Sequence, residues 1–139
     1  MGLYISQADS KFFICHENIP LVIDAIKDLI NKPELMHGGQ YINGKKTNSW
    51  FSFVDMNYIK SNSIKEIFDS WGFEIQQDVN ENICKIQFMA DKAGQEDILF
   101  KAIAPFVKNG SFIEFINENL LTVVSFEDNT VTFKTNGIW

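Results

Sequence analysis

The sequence predicts an α+β fold: one domain, residues 1–139, in which hairpins build a mostly antiparallel sheet and about three helices pack on one face. Its 139 residues are the length of one ordinary domain, and a hydrophobic fraction of 45%, including 13 Phe, is enough for a core. Short apolar runs separated by polar turns predict hairpins. No strand–helix–strand series is regular enough to predict a parallel sheet.

The chain begins with a pattern typical of a hairpin. Residues 3–5 and 11–15 predict two short strands, and the polar residues 7–10 between them predict the turn. We therefore expect an opening hairpin.

Two helices are predicted in the first half of the chain. Asn18 can cap the first, which carries Pro20 in its first turn and is expected to run to about Asn31. Ser63 and Glu66 form the Ser-x-x-Glu capping box of the second. One face of this second helix is apolar, through Ile64, Ile67, Phe68 and Trp71.

Between these helices, residues 37–48 form the longest segment of loop composition, and we expect it to be mobile. Residues 50–54 follow it and predict a buried strand. The sequence thus places a Gly-rich loop beside an aromatic strand.

The second half of the chain predicts a hairpin, a helix and a meander. Residues 73–77 and 83–89 are expected to pair across the polar turn 78–82. A third helix is predicted over 95–104, ending at Pro105. The strands of the closing meander are predicted over 111–116, 120–126 and 130–134.

The charge balance disfavours direct binding of nucleic acid. Twelve basic residues, all of them lysine, stand against 18 acidic ones, and the net charge of −6 repels phosphates. Without arginine, the chain lacks the planar group that reads phosphates and base edges in pairs of hydrogen bonds. An acidic surface can instead compete with nucleic acid for a basic protein. The candidate partner-binding residues are the acids of the closing meander: Glu114, Glu118, Glu127 and Asp128.

No membrane segment or export signal is predicted. The longest apolar runs are a few residues, far below the ~20 of a membrane-spanning helix. The first residues lack the basic start and apolar block of a secretory signal, so the expected location is cytoplasmic. Cys15 and Cys84 are far apart in apolar segments and are expected to be inert core thiols.

Residues 39–47 come close to a phosphate-binding P-loop but do not match it. Lys46 stands where the hydroxyl that binds Mg²⁺ belongs, and the segment precedes a strand instead of a helix. The alternative interpretation is a Gly-rich surface loop. As a second hypothesis, residues 38–46 close over an anionic small molecule such as a nucleotide, with Lys45 and Lys46 supplying charge and Tyr41 or Trp50 a stacking face.

No residue set predicts catalysis, a metal or a cofactor. Cys15 and His16 are adjacent, so their side chains should diverge in a strand. A zinc site from these two with His37 and Cys84 lacks the short paired spacings of zinc motifs. The paired acids 96–97 and 127–128 fall in a helix first turn and a hairpin turn, where they serve local structure. The sequence therefore predicts a protein that is not an enzyme.

Residues 100–115, with the strings Ala-Pro-Phe-Val and Gly-Ser-Phe-Ile-Glu, resemble a family of small, uncharacterised bacterial and phage-borne proteins. Residues 82–88 and 68–73 are similar to the strand and helix end that precede this region. Family members usually carry a Trp-rich closing hairpin, whereas residues 121–126 here contain no Trp. The resemblance implies an α+β fold and a mobile-element setting, but no activity.

The leading functional hypothesis is a non-enzymatic binding protein, encoded by a phage or prophage, that acts as an inhibitor or anti-defence protein. Its acidic surface would block a basic, nucleic-acid-binding partner protein. The alternative is a protein that binds or sequesters an anionic small molecule through the 38–46 loop. Trp139, at the last position, predicts a homodimer if it packs against a second subunit.

Overall fold

The computed structural model describes residues 4–90 and 92–137, and its architecture is α+β as predicted. Within these residues lie three α-helices and eight strands. In chain order they are β1 (Ser6–Lys11), α1 (Ile19–Asp28), β2 (Gly38–Ile42), β3 (Lys45–Trp50), α2 (Ile64–Ser70), β4 (Phe73–Gln77), β5 (Ile83–Phe88), α3 (Glu96–Ile103), β6 (Ser111–Asn117), β7 (Leu120–Glu127) and β8 (Thr130–Gly137).

The strands form three antiparallel sheets. The largest has four strands in the order β1-β6-β7-β8, and β2-β3 and β4-β5 are separate two-stranded sheets. Residues directly opposite each other on neighbouring strands share a face. The inner face of the large sheet, as we call it, carries two such rows: Ile113, Val124 and Phe133, and Phe115, Thr122 and Thr135.

The buried hydrophobic residues form one cluster, in which phenylalanine rings join the large sheet to α3 and to the β4-β5 sheet. The Phe100 ring of α3 lies 6.3 Å from that of Phe115 and 6.0 Å from that of Phe126. Phe73 contacts both Phe100 and Phe88. These edge and tilted contacts stabilise the core beyond the burial of area alone. None of the helices in the described residues is long and apolar enough to cross a membrane.

The predicted opening hairpin is wrong. The expected turn residues 7–10 lie inside β1, which pairs with β6 and has a register irregularity between Gln7 and Ser10. A polar residue is suited to position 7 of this strand because its side chain forms hydrogen bonds with the backbone of β5. Its amide donates to the Ile86 carbonyl and accepts from the Phe88 N–H, both at 2.8 Å, so it extends the hydrogen bonding of β5.

The two predicted helix starts differ in outcome. Ser63 caps α2 by accepting a hydrogen bond from the Glu66 N–H, as expected. Asn18 makes no such bond, because a short 3₁₀ turn, His16–Asn18, runs directly into α1. Pro20 does lie in the first turn of α1, and the helical conformation continues in 3₁₀ form through Leu29–Asn31.

The segment predicted as a loop over 37–48 is the β2–β3 hairpin. Asn43 and Gly44, with φ of 53° and 79°, form its two-residue turn, the geometry that matches the twist of paired strands. The predicted buried strand over 50–54 is also wrong. Phe51 is buried, but the chain turns immediately afterwards, and Phe53 is 55% exposed with a φ of 61°.

The second half of the chain follows the prediction closely. β4 pairs with β5, and Ile86 and Phe88 are buried while Lys85 and Gln87 are exposed. The three strands of the meander extend one to three residues beyond the predicted ends. Because these strands and α3 form as expected, the cleft described next is built from elements that the sequence predicts.

Candidate functional site

A cleft of about 260 Å³ lies between the first turn of α3 and the inner face of the large sheet. We call it the Glu96 cleft, after the acidic side chain in its wall. Its other principal walls are three phenylalanine rings and Thr122. The rings belong to Phe100, Phe115 and Phe133.

Strand alternation and helix periodicity place these side chains together. Phe115 and Thr122 are directly paired, and Phe133 is paired with Val124, so all four point to the inner face. On α3, Phe100 lies four residues after Glu96, which puts both on one side of the helix. Phe133 is 41% exposed and forms the open side of the cleft.

Gln95, immediately before α3, fixes the position of the helix. Its side chain is 2% exposed and makes three hydrogen bonds to distant backbone groups. The carbonyl oxygen accepts from the N–H groups of His37 and Ser52 at 2.9 and 3.0 Å, and the amide nitrogen donates to the Leu35 carbonyl at 2.6 Å. Gln95 thus ties the two ends of the β2–β3 hairpin to the start of α3.

Glu96 is a half-buried carboxylate. Burial and, to a smaller extent, the charge of Asp97 raise its pKa to about 7, against hydrogen bonds from the backbone N–H groups of Gly94 and Glu96. Neither ion pair between described residues includes Glu96: Asp97 pairs with Lys101 and Asp28 with Lys32. The cleft therefore holds a carboxylate whose charge no lysine of the described chain neutralises.

The sequence predicts only a local structural role for residues 96 and 97, as acids in the first turn of a helix. Asp97 fits that role, because it is exposed and pairs with Lys101 one helical turn later. Glu96 does not, because it is half-buried in the cleft between α3 and the inner face of the sheet. The sequence does contain a signal for this difference. The predicted meander directly follows the helix, so one face of its sheet is expected to pack against that helix and can bury one of the two acids.

The predicted partner-binding acids do not converge. Glu114 lies in the middle of β6 on the outer face, opposite Val123, and is half-buried. Glu118 lies in the β6–β7 turn, whereas Glu127 and Asp128 lie at the other end of β7. A strand of this length separates its two ends by about 25 Å, so one small partner group cannot contact all four.

The residues of the alternative ligand loop lie on the β2–β3 hairpin, where Tyr41 is directly opposite Lys46. The Lys46 ammonium donates to the Met36 carbonyl at 2.9 Å. The Trp50 indole lies across Gly38 at the base of the hairpin, while Lys45 is beside the turn and Tyr41 is 64% exposed. Because both segments are paired strands, this part of the chain is not a free loop.

A second cavity, of about 550 Å³, lies beside His16 and Cys15. The Asn82 side-chain oxygen accepts from the His16 N–H at 2.8 Å and lies 3.1 Å from His16 Nδ1. Asn82 in turn donates to Asp78 from its side chain and backbone. Despite the opposing effect of desolvation, hydrogen bonds from Asn82 and Asn80 hold the pKa of Asp78 below its usual range.

This network is best explained as a link between the β4–β5 turn and the 3₁₀ turn.

The strand alternation expected to separate Cys15 from His16 does not apply, because the 3₁₀ turn begins at His16, and both residues line the same cavity. The two cysteines are free and half-buried, not core thiols. Among residues 4–90 and 92–137, no three His, Cys, Asp or Glu side chains are grouped to hold a metal ion.

Comparison of this chain with family models, with curated proteins and with solved structures finds no match.

Proposed function

We propose that this chain is a non-enzymatic binding protein whose Glu96 cleft receives a positively charged side chain of a basic partner protein. One observation carries the proposal: a half-buried carboxylate and three phenylalanine rings line the same cleft, and no cation of the described chain pairs with that carboxylate. In this proposal the partner contacts the Glu96 cleft, and not the dispersed acids of the meander.

The walls of the cleft suit a lysine or arginine side chain. A cation near an aromatic ring is attracted by the negative face of the ring, and its aliphatic stem packs against apolar surface. The Glu96 carboxylate supplies the opposite charge. At about 260 Å³ the cleft is smaller than the usual pocket for a drug-sized molecule, which favours a single side chain as the occupant.

The charge of the whole chain supports the same class of partner. With a net charge of −6, the molecule attracts basic surfaces, and this attraction raises the rate of encounter. A basic surface that binds nucleic acid is the natural target. Occupying it would make this chain an inhibitor, and a phage-encoded inhibitor or anti-defence role in the cytoplasm is the biological setting that we propose.

The alternative, an anionic small molecule bound at residues 38–46, receives less support. Lys46 is engaged by the Met36 carbonyl, and Trp50 covers Gly38 at the end of the hairpin remote from Lys45. Tyr41 is paired directly opposite Lys46, so the two share a face of the hairpin, but the Lys46 ammonium is already engaged by a backbone carbonyl.

The test is a titration of ¹⁵N-labelled protein at pH 8 with the peptide acetyl-Thr-Lys-Thr-Lys-Thr-Lys-Thr-amide. We expect shifts at Gly94, Glu96 and Phe133 that weaken as salt rises. The Glu96→Gln variant should bind about tenfold more weakly, since a hydrogen bond to a charged group contributes about 1.5–3 kcal/mol. Glu74→Gln, at an exposed site on β4, is the matched control and should bind as the parent does.

Two results would contradict the proposal. One is equal binding of a peptide in which glutamate replaces lysine. The other is unchanged affinity in the Glu96→Gln variant. A nucleotide that shifts the amides of residues 38–46 would favour the alternative function instead.

A further inference from the structure

The edge strand beside the Glu96 cleft is open. β8 pairs with β7 along eight consecutive residues without a bulge, and among the described strands it has no neighbour on its other side. Its last six residues are all exposed. An unpaired edge of this length presents a row of backbone donors and acceptors to any extended chain.

The opposite edge of the sheet is protected. β1 carries the irregularity between Gln7 and Ser10, and the Gln7 side chain bonds to the backbone of β5. Bulges and covering elements are the usual means by which proteins block edge pairing. On β8 the described residues include a single charge, Lys134, and no proline. The two edges therefore differ in their readiness to accept a strand.

The register of the β7–β8 hairpin shows which backbone groups are free. Asp128 and Asn129 both have positive φ and form a two-residue turn, so Glu127 and Thr130 are its closing hydrogen-bonded pair. Hydrogen-bonded and non-hydrogen-bonded pairs alternate along an antiparallel ladder. The N–H and C=O groups of alternate residues, Val131, Phe133 and Thr135, consequently point away from β7.

A strand added to this edge has its alternate side chains over the cleft. A residue opposite Phe133 or Thr135 shares their face, which is the inner face of the sheet that borders the Glu96 cleft. Its neighbours in the added strand lie on the outer face, beside Lys134. The cleft face therefore favours basic residues, and the outer face repels them.

We infer that the basic partner binds as an extended segment added antiparallel to β8, with lysine or arginine at alternate positions on the cleft face and one of these side chains in the Glu96 cleft. Every pairing among the described strands is antiparallel, which favours the same orientation for the added strand. This inference rests on the proposed function, because it takes the cleft as the site of the cation. It adds the backbone of the partner as the second point of recognition.

The test uses the peptide acetyl-Thr-Lys-Thr-Lys-Thr-Lys-Thr-amide and two isomers, one N-methylated at its lysines and one at its threonines. In an antiparallel addition the lysines opposite Phe133 and Thr135 turn their N–H groups toward β8. We expect methylation at lysine to weaken binding about tenfold and methylation at threonine to leave it within about twofold. Equal affinity of the two isomers overturns strand addition.

A pair of protein variants gives the complementary measurement. Thr135→Pro removes an N–H that faces outward, which an edge strand tolerates, whereas Thr135→Ala retains that N–H. Both lose the hydroxyl contact with Thr122, which spans 2.8 Å, so the comparison isolates the backbone donor. We expect weaker peptide binding by Thr135→Pro than by Thr135→Ala, with equal circular dichroism spectra as the folding control.

The outcomes separate the two proposals. If Glu96→Gln weakens binding but the proline and N-methyl changes do not, the cleft binds cations without strand addition, and this inference is wrong. If Glu96→Gln has no effect, the proposed function is wrong. Shifts of the Val131, Phe133 and Thr135 amides on addition of the unmodified peptide support both.

Discussion

The backbone N–H of Gly94 donates to both carboxylate oxygens of Glu96, at 2.9 Å each. Such a contact favours the ionised carboxylate, yet the pKa of Glu96 is raised to about 7, because burial outweighs it. Backbone N–H groups of Gly94 and Glu96 therefore hold the carboxylate in place, while no cation of the described residues pairs with its charge. A bound cation would supply the missing compensation.

The first prediction concerns stability against pH. In the unfolded chain the Glu96 carboxyl has its usual pKa of 4.5, and in the folded chain about 7, so folding favours the protonated form. The contribution of Glu96 to the free energy of unfolding is therefore fully present below pH 4.5. It is lost as the pH rises through 7, by about 3 kcal/mol in all. Relative to the parent, Glu96→Gln should gain that amount between pH 4 and pH 8, measured by urea unfolding.

The control for this experiment is Asp97→Asn. Asp97 is the other titratable residue in the wall of the cleft, but it is exposed and pairs with Lys101. Its replacement should change the pH dependence far less than that of Glu96. A parallel pair of stability curves for Glu96→Gln and the parent would show that Glu96 titrates normally.

The second prediction concerns binding against pH and has the opposite sign. Only the ionised form of Glu96 attracts a cation, and with a pKa of about 7 its ionised fraction rises about tenfold between pH 6 and pH 8. The affinity for the lysine peptide should rise by a similar factor, measured by calorimetry. The Glu96→Gln variant should bind equally at both pH values, and a parallel rise in that variant would assign the pH dependence to another group.

How far the sequence predicts the fold depends on whether the signal is local. Ser63 is three residues from its partner Glu66, and the capping bond forms as expected. Asn43 and Gly44 carry an equally local hairpin signal, but the polar residues around them indicate a loop. The Asn-Gly pair thus indicates a hairpin turn, whereas the polar, Gly-rich composition of residues 37–48 indicates a loop, and the loop prediction is wrong.

Other features depend on contacts between distant residues, and no local pattern contains them. Gln7 completes the backbone bonding of β5, about 80 residues later in the chain, so its polarity looks like that of a turn. Glu96 looks like an ordinary first-turn acid until β6, β7 and β8 close over it. The acids and phenylalanines of the cleft are visible in the sequence, but their convergence is a property of the tertiary packing.

The third prediction concerns Gln95. Gln95→Ala leaves the N–H groups of His37 and Ser52 and the carbonyl of Leu35 without their partner, and unsatisfied buried groups are costly. We expect a loss of about 3 kcal/mol in urea unfolding, with faster hydrogen exchange in β2 and β3. Gln76→Ala, on the exposed face of β4, is the matched control, and equal losses in the two variants would contradict the assigned role.

The fourth prediction concerns the acids of the meander. Neither Glu118 nor Glu127 lines the Glu96 cleft, both are exposed, and exposed charges are screened by salt. Neutralising either one should change the affinity for the lysine peptide by less than about threefold at 0.15 M salt. A tenfold loss in Glu127→Gln would return the binding surface to the meander.

The fifth prediction concerns Gly38 and Trp50, which are paired at the base of the β2–β3 hairpin. A Cβ on Gly38 would collide with the Trp50 indole, so Gly38→Ala must displace the ring and should cost about 1 kcal/mol. In a Trp50→Ala background the collision is absent. There the same substitution should stabilise the protein by about 0.4–1 kcal/mol, because alanine reduces the freedom of the unfolded chain.

The reversal of sign in a double-mutant cycle is the decisive readout, because a general intolerance of side chains at position 38 would give a loss in both backgrounds. Gly44→Ala provides the contrast. Gly44 has a φ of 79° and open space around it, so alanine is strained there by the backbone alone. Its cost should be the same with and without Trp50, whereas that of Gly38→Ala should depend on the indole entirely.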